Sequence, residues 1–457
     1  MLMMLAAGLI FGSISLFLLA SPWPFLAPLA VFAVVALGVL YRRPAWGLLG
    51  LAALVPFEGV FKDMEFSGAK LLGASVIGIL LLQLVLRQIP RERLQSNLWP
   101  LLLLFLLWVF FSLLFSENLG VSLGNLRELL IGMTLFGIAL LLGRDLPLLM
   151  LCRAVALCVA LTCVIAIVST RHQVGGRAIG LLQDANYFAL LIALALPLSA
   201  LLALHAKGLP GRVFWIGVSI LLVAGLTKTD SRSGLMVLLV SVGIGFWHHR
   251  ARLARIRPRH LGFVMLGIAI LAPLALSSLP DHYVERITSL GLLKSGVNAH
   301  QDPSIGRRAS YLMVGGEMIS DNPLVGAGPG TFPIHYANTG YAKAFSTGLV
   351  TPELFRRAHN TYLEIFAEMG IPAGLLFIAL LCLGLRNYER ARLAWLRSGN
   401  QIQADIATHL GLGLLTMMLF MLFLSVPNHK LLWLLLGLSW VLRQQAEAVL
   451  VERECAV

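Results

Sequence analysis

The chain is built from uninterrupted apolar blocks, most of them roughly 15–20 residues long, the length a helix rising about 1.5 Å per residue needs to cross a bilayer core. They fall near 3–20, 24–40, 44–58, 71–86, 98–115, 129–142, 149–169, 187–204, 213–226, 235–248, 261–278, 372–386, 406–425 and 430–442. With 58% hydrophobic and 12% charged residues, no segment reads as a separate soluble domain. The pattern predicts an all-α polytopic membrane protein with about 12–14 transmembrane helices. The weakest blocks are 44–58, which ends at Glu58, and 213–226. The first block ends in small residues as a signal peptide does, but no Lys or Arg precedes it and another block follows, so it reads as a retained helix.

Basic residues gather on alternate connections: Arg42 and Arg43; Arg87, Arg91 and Arg93; Arg250, Arg252, Arg255, Arg257 and Arg259; and Arg386, Arg390, Arg392 and Arg397. Such loops stay cytoplasmic. Both termini are then expected inside, and residues 279–371 form a large outward loop before the third-last transmembrane helix. Residues 1–457 read as one membrane domain with 279–371 as its helical cap. Much of the formal charge of +13 sits on cytoplasmic loops, where anionic headgroups are the natural counterpart. Membrane lipids, not nucleic acid, are therefore the expected partner. Of the five cysteines, Cys152, Cys158, Cys163 and Cys382 lie in apolar blocks and Cys455 in the cytoplasmic tail, so no outward disulfide or Cys-x-x-Cys metal site is expected.

The cap holds the long polar stretch. Residues 305–319 have helical spacing, ended by Asp321-Asn322-Pro323. Gly326, Gly328 and Gly330 then permit tight turns and close approach of backbone to a ligand or another helix. The segment lacks the Gly-Lys-Ser/Thr of a nucleotide loop. At its end stands Arg356-Arg357-Ala358-His359-Asn360. If 354–369 is helical, Arg356, His359 and Asn360 share one face, setting a proton acceptor beside a cation. Shorter outward loops add Arg177, Asp184, Asn186 and Arg232. A charge in hydrocarbon costs about 2.5–3.5 kcal/mol on insertion scales, so Arg232, wedged between apolar blocks, is expected at a wet cavity or the headgroup level. Arg177, Arg232, Arg307 and Arg356 are candidates to converge on one anion, since a guanidinium donates two parallel, charge-assisted hydrogen bonds to phosphate. His248 and His249 beside Trp247 read as interfacial anchors.

The stretches Arg177-x2-Gly180-x3-Asp184-x-Asn186, Ser231-Arg232-Ser233-Gly234, Asn322-Pro323-Leu324-x-Gly326-x-Gly328-Pro329-Gly330 and His359-Asn360-x2-Leu363-x3-Ala367-Glu368-x-Gly370 together resemble the superfamily of bacterial O-antigen ligases and polymerases. The resemblance spans roughly 170–385. It implies a glycosyltransferase of the multi-helix C type, without metal or cofactor, working at the periplasmic face of the inner membrane on sugar carried by undecaprenyl pyrophosphate. The ligase is the best match, implying lipid A-core as acceptor. Carried over by position, Arg232 and Arg307 bind the donor pyrophosphate, with Arg177 and Arg356 as further candidates, and His359 is catalytic in the cap's last helix. Asn360 or Glu364 would orient it or anchor the cap, while Asp184, Asn186, Gly326, Gly328 and Gly330 support the site. The family often has a histidine two residues before its His-Asn pair; here Arg357 stands there.

The implied chemistry suits these residues. A sugar C1–pyrophosphate bond already has a good leaving group, so the site must stabilise its charge and take the proton of an attacking hydroxyl. Arginines and one neutral imidazole suffice. No Asp-x-Asp pair occurs in the outward loops, although Asp63 and Glu65 leave a carboxylate-dependent variant open. The alternatives are a polysaccharide polymerase of the same superfamily, a protein O-oligosaccharyltransferase, and a transporter of the same lipid. Transporters place ionisable groups near the midplane and often show paired halves, which this chain does not.

Overall fold

A computed structural model of the protein describes residues 26–61, 68–182, 184–253, 303–346 and 354–455, with six positions before residue 26. The block at 261–278, most of the block at 3–20, cap residues 279–302, and Asp63, Glu65, Arg255, Arg257 and Arg259 lie outside them. The protein is an all-α, multi-pass membrane protein. Its helices are α1 (Leu26–Arg42), α2 (Ala45–Leu54), α3 (Gly68–Val85), α4 (Trp99–Leu113), α5 (Leu119–Leu142), α6 (Leu148–Val168), α7 (Ala185–Leu204), α8 (Gly208–Lys228) and α9 (Arg232–Leu253). After them come α10 (Pro303–Asp321), α11 (Phe332–Ala337), α12 (Gly340–Ala344), α13 (Thr361–Arg397), α14 (Gln401–Phe420) and α15 (Lys430–Cys455).

Among the described residues, 8 helices are long and apolar enough to cross a membrane, or 9 if a pair bent by 115° at Arg43-Pro44 is one span. The block at 44–58 is therefore joined to its predecessor through a sharp bend, as a broken span or a re-entrant pair. The block at 98–115 becomes the 15-residue α4. The block at 235–248 lies in α9, whose Trp247-His248-His249-Arg250 end lowers its apolar character. Helix α13 packs on α4, α14 and α15, with α5 against α15 and α7 between α6, α8 and α14. Phe105, Phe136, Phe377, Phe420 and Trp433 are buried between them, while Leu103, Leu107 and Leu239 stay exposed, as a lipid-facing surface allows.

A second, smaller core joins Tyr311, Val314 and Met318 of α10 to Phe332 and Tyr336 of α11 and to Ala358 and Ala367. It meets the bundle at an interruption in α13. Gly370 has φ +82 within that helix, and Pro372 has no N–H to give the Glu368 carbonyl four residues back. Two carbonyls are thereby freed. Ala327 N–H donates to Ala367 O (3.1 Å) and Gly328 N–H to Glu368 O (2.8 Å), while Ile371 N–H turns to Pro323 O (2.8 Å). From α4, Trp108 Nε1 donates to Leu324 O (3.1 Å) and Ser112 Oγ to Val325 O (2.6 Å). The buried Glu368 carboxylate accepts from the N–H groups of Gly330 (2.7 Å) and Phe332 (3.0 Å). These bonds explain the glycines: a Cβ on Gly326 would lie 2.3 Å from the Glu368 carbonyl carbon, and one on Gly328 would lie 2.3 Å from Ser116 Oγ.

Gly326→Ala therefore meets both a positive φ and unyielding backbone. It should destabilise the protein by about 2 kcal/mol or more, lowering the thermal midpoint in detergent and speeding proteolysis within the cap. An unchanged midpoint and digestion pattern would show that the docking segment is not held as described.

Candidate functional site

One wall of the site begins at a hairpin. Gly175 and Gly176, both at positive φ, make the two-residue turn that pairs strand β1 (Gln173–Val174) with β2 (Arg177–Ala178). The turn presents Arg177, whose Nε donates to Thr229 O (3.0 Å) and whose Nη2 donates to Asn186 Oδ1 (3.2 Å). Asn186 Oδ1 also accepts from Ser231 Oγ (3.0 Å), and Ser231 Oγ accepts from Gly234 N–H (3.2 Å). Asp184 caps α7 by accepting from Tyr187 N–H (2.7 Å). The two motifs around 177–186 and 231–234 are thus one hydrogen-bonded unit that fixes the turn ahead of Arg232, the first residue of α9. Arg177 acts here as a brace.

His359 occupies the facing wall, and its local structure corrects the sequence expectation. Residues 355–360 are not helical; α13 starts at Thr361, with Asn360 as N-cap accepting from Leu363 N–H (3.1 Å). His359 has φ +48, so Arg356, His359 and Asn360 do not share a helix face, and His359 precedes the last helix of the cap region instead of lying in it. The reason is tertiary. Thr361 N–H donates to Met421 O (2.7 Å), and Thr361 Oγ1 donates to Leu424 O (2.6 Å) while accepting from Val426 N–H (2.9 Å). That anchorage replaces the preceding helical turn. Arg357 clamps the buried Glu364 through Nε–Oε1 (2.8 Å) and Nη2–Oε2 (3.2 Å) contacts. Asn360 and Glu364 therefore serve the backbone and Arg357, which makes them anchors of this segment.

The His359 ring stacks on Tyr311 of α10, with centroids 5.9 Å apart and planes at 25°. Burial, and then the charge of Arg308, push its pKa down to about 4, against smaller opposing effects of Asp184 and Glu364. Arg308 is itself lowered, first by burial and then by the charge of Arg232, with Arg177 and Arg307 adding to it. Its guanidinium lies 5.8 Å from the Phe423 ring. Arg308 thus stands in the field of Arg232 and acts on His359. Arg307 and Arg356 act on Tyr311 and Tyr336, and Arg308 on Tyr311 as well.

A cavity of about 820 Å³ opens beside His359 and Arg356, and Arg177, Arg232, Arg307 and Arg308 are not among its lining residues. Arg356, Arg357, His359 and Asp184 line it, together with Glu58, Lys70, Glu128 and Lys430, which the sequence reading had not assigned to a site. Glu58 and Lys430 pair at 2.8 Å. Both were visible as charges at the edges of apolar blocks. A smaller cavity, about 160 Å³, lies by His248, Glu389 and Arg392 near the far end of α13. Gly326 and Gly330 approach α13 and α5, and Gly328 approaches Ser116 in the α4–α5 connection; none of the three lines the large cavity.

The fold and site define a multi-pass membrane protein whose small cap sets arginines and an uncharged histidine over a cavity. Residues 217–378, running from α8 through the cap into α13, match the Wzy_C family model, described as O-Antigen ligase, which bears out the resemblance to the O-antigen ligase and polymerase superfamily. No curated protein matches the chain.

In the ligand-free protein His359 should titrate near 4, and Arg308→Gln should move the midpoint up toward the usual 6.5, since it removes the largest charge acting against protonation. Histidine ¹⁵N NMR in nanodiscs, assigned with His359→Gln, reads both. A wild-type midpoint near 6.5 would contradict the buried, cation-flanked placement.

Proposed function

We propose that the protein is a lipopolysaccharide O-antigen ligase of the bacterial inner (cytoplasmic) membrane. In this reading it transfers glycan from undecaprenyl pyrophosphate to a sugar hydroxyl of lipid A-core. Both termini are cytoplasmic, and the cap of 279–371 and the large cavity face the periplasm. The observation that carries the proposal is His359, stacked on Tyr311 and lining that cavity beside Arg356 and Arg357, within the segment matching the family.

The acceptor hydroxyl attacks the anomeric carbon as the C1–oxygen bond to pyrophosphate breaks. The bonding pair leaves with the phosphate oxygen, and the hydroxyl proton passes to the neutral imidazole of His359. One displacement inverts the anomeric configuration. Arg308 and Arg232 stabilise the departing charge, Arg232 from the first turn of α9, where the helix dipole also favours an anion. Charge carried by guanidinium groups held in a partly dry site needs little reorganisation as the bond breaks. Among the described residues, no group of three His, Cys, Asp or Glu side chains is arranged to hold a metal ion.

The test is reconstitution in liposomes with undecaprenyl-pyrophosphate-linked glycan and lipid A-core, in EDTA and without nucleotide. Glycan-modified lipid A-core is the expected product; longer lipid-linked chains in its place would move the reading to the polymerase. His359→Ala should cut turnover by about 100-fold or more while donor binding persists, because it removes the proton acceptor and leaves the cations. Arg308→Ala should cost roughly 100-fold, and clearly more than Arg307→Ala. Equal losses from the two arginine variants would refute the assignment to Arg308.

A further inference from the structure

The loop joining α14 to α15 forms the part of the cavity wall nearest the start of α13, and it is fixed on every side. Thr361 pins it at Met421, Leu424 and Val426, and Trp433 Nε1 donates to Pro427 O (3.0 Å). A Cβ on Gly132 of α5 would lie 2.3 Å from Asn428 O, so the loop also packs directly on that helix. Yet among the described residues two of its buried polar atoms have no hydrogen-bond partner. Ser425 Oγ is one, on a residue 9% exposed that lines the cavity; His429 Nε2 is the other, on a residue 2% exposed. His429 Nδ1 accepts from Leu431 N–H (3.1 Å), so in the neutral ring Nε2 carries the proton and is a donor. The ring lies 5.2 Å from that of Tyr187, another lining residue. A rigid loop with unspent donors and acceptors is built for a ligand, since buried polar groups are otherwise paired.

The local charge identifies the ligand class. Of the cations lining the cavity, Arg356 and Arg357 stand just before His359 and Lys70 is on α3, whereas at the loop Lys430 is paired with Glu58, and Ser425 and Asn428 are uncharged. That wall suits a neutral polyhydroxylated ring, not a pyrophosphate. We propose that Ser425 and Asn428, backed by the buried His429, form the subsite for the acceptor sugar, binding its ring hydroxyls so that the attacking one is presented to His359. Thr361, two residues beyond His359, ties this wall to the proton acceptor and fixes the spacing between them. The inference rests on the transferase reading above.

Ser425→Ala and Asn428→Ala, each verified by an unchanged thermal midpoint, test it in the reconstituted reaction. The KM for lipid A-core should rise about 3- to 10-fold, the loss of one or two neutral hydrogen bonds, with the KM for the lipid-linked donor unchanged. Core oligosaccharide released from lipid A should also give saturation-transfer NMR signals with the wild-type protein that weaken with either variant. A rise in donor KM, or no change in either constant, overturns the proposal. If the wild-type protein transfers nothing, the transferase reading fails by itself. Oligosaccharide binding then still decides the subsite: binding weakened by both variants retains a sugar site, and no binding to wild type removes it.

Discussion

A buried helix cannot leave carbonyls unpaired, and α13 carries a break that frees two of them. Gly370 turns the backbone, and Pro372 brings no N–H. Partners come from the 323–328 segment, which is therefore tied to one level of the membrane bundle. The rest of the cap inherits its position from that seam. Helix α10 packs against α13, Glu368 holds the turn that starts α11, and Ser112 and Trp108 hold the seam from the α4 side. The site depends on the seam because Arg308 is on the cap and Arg232 on the bundle. Their relative placement is set by main-chain bonds, with little left to long, flexible side chains.

Around this frame, charged groups divide between those that build and those that remain for chemistry. Arg177 is committed to Thr229 and Asn186, and Arg357 to Glu364. The Arg357–Glu364 pair is bidentate with a buried carboxylate, so removing one partner leaves a buried charge uncompensated. Arg308 differs: burial and neighbouring cations both disfavour its charge. An arrangement of like charges held together in a half-buried site carries an electrostatic cost that an incoming anion relieves. For the proposed reaction this separates a binding arginine from a bracing one more sharply than its position in a motif does.

Much of the fold was legible because its largest constraint is one-dimensional: apolar length. The blocks at 71–86, 149–169 and 187–204 fall within or nearly coincide with α3, α6 and α7. Helix α10 was also readable, through periodicity and the Asp321-Asn322-Pro323 stop. The start of α13 was not, because Arg356 to His359 continue a plausible helical spacing and only contacts to residues 421–426 override it. Asn360 with Glu364 in the first turn was the local signal that pointed to the true N-cap. The hairpin presenting Arg177 likewise had a signal in Gly175-Gly176. Periodicity had no means to choose between Arg307 and Arg308, which lie four and three residues before Tyr311 and so flank the same buried stripe. Whether the cap glycines face ligand or helix depended on Ser116, Asn125 and Glu368, about 200 residues upstream in the first two cases and about 40 downstream in the third.

The depressed proton affinity of His359 gives the proposed reaction an order. In the vacant site the imidazole is neutral but a poor base, since burial and then the Arg308 charge oppose its protonated form. A pyrophosphate against Arg308 leaves the burial in place and cancels much of the cation's field, so the imidazole gains basicity when donor is present. Linkage requires the converse by the same factor: a proton on His359 tightens the hold on the donor. In the proposed transfer the proton arrives on His359 as charge collects on the leaving pyrophosphate. The two events therefore stabilise each other at the moment the C1–oxygen bond breaks, and an acceptor that enters without donor meets a base too weak to activate its hydroxyl.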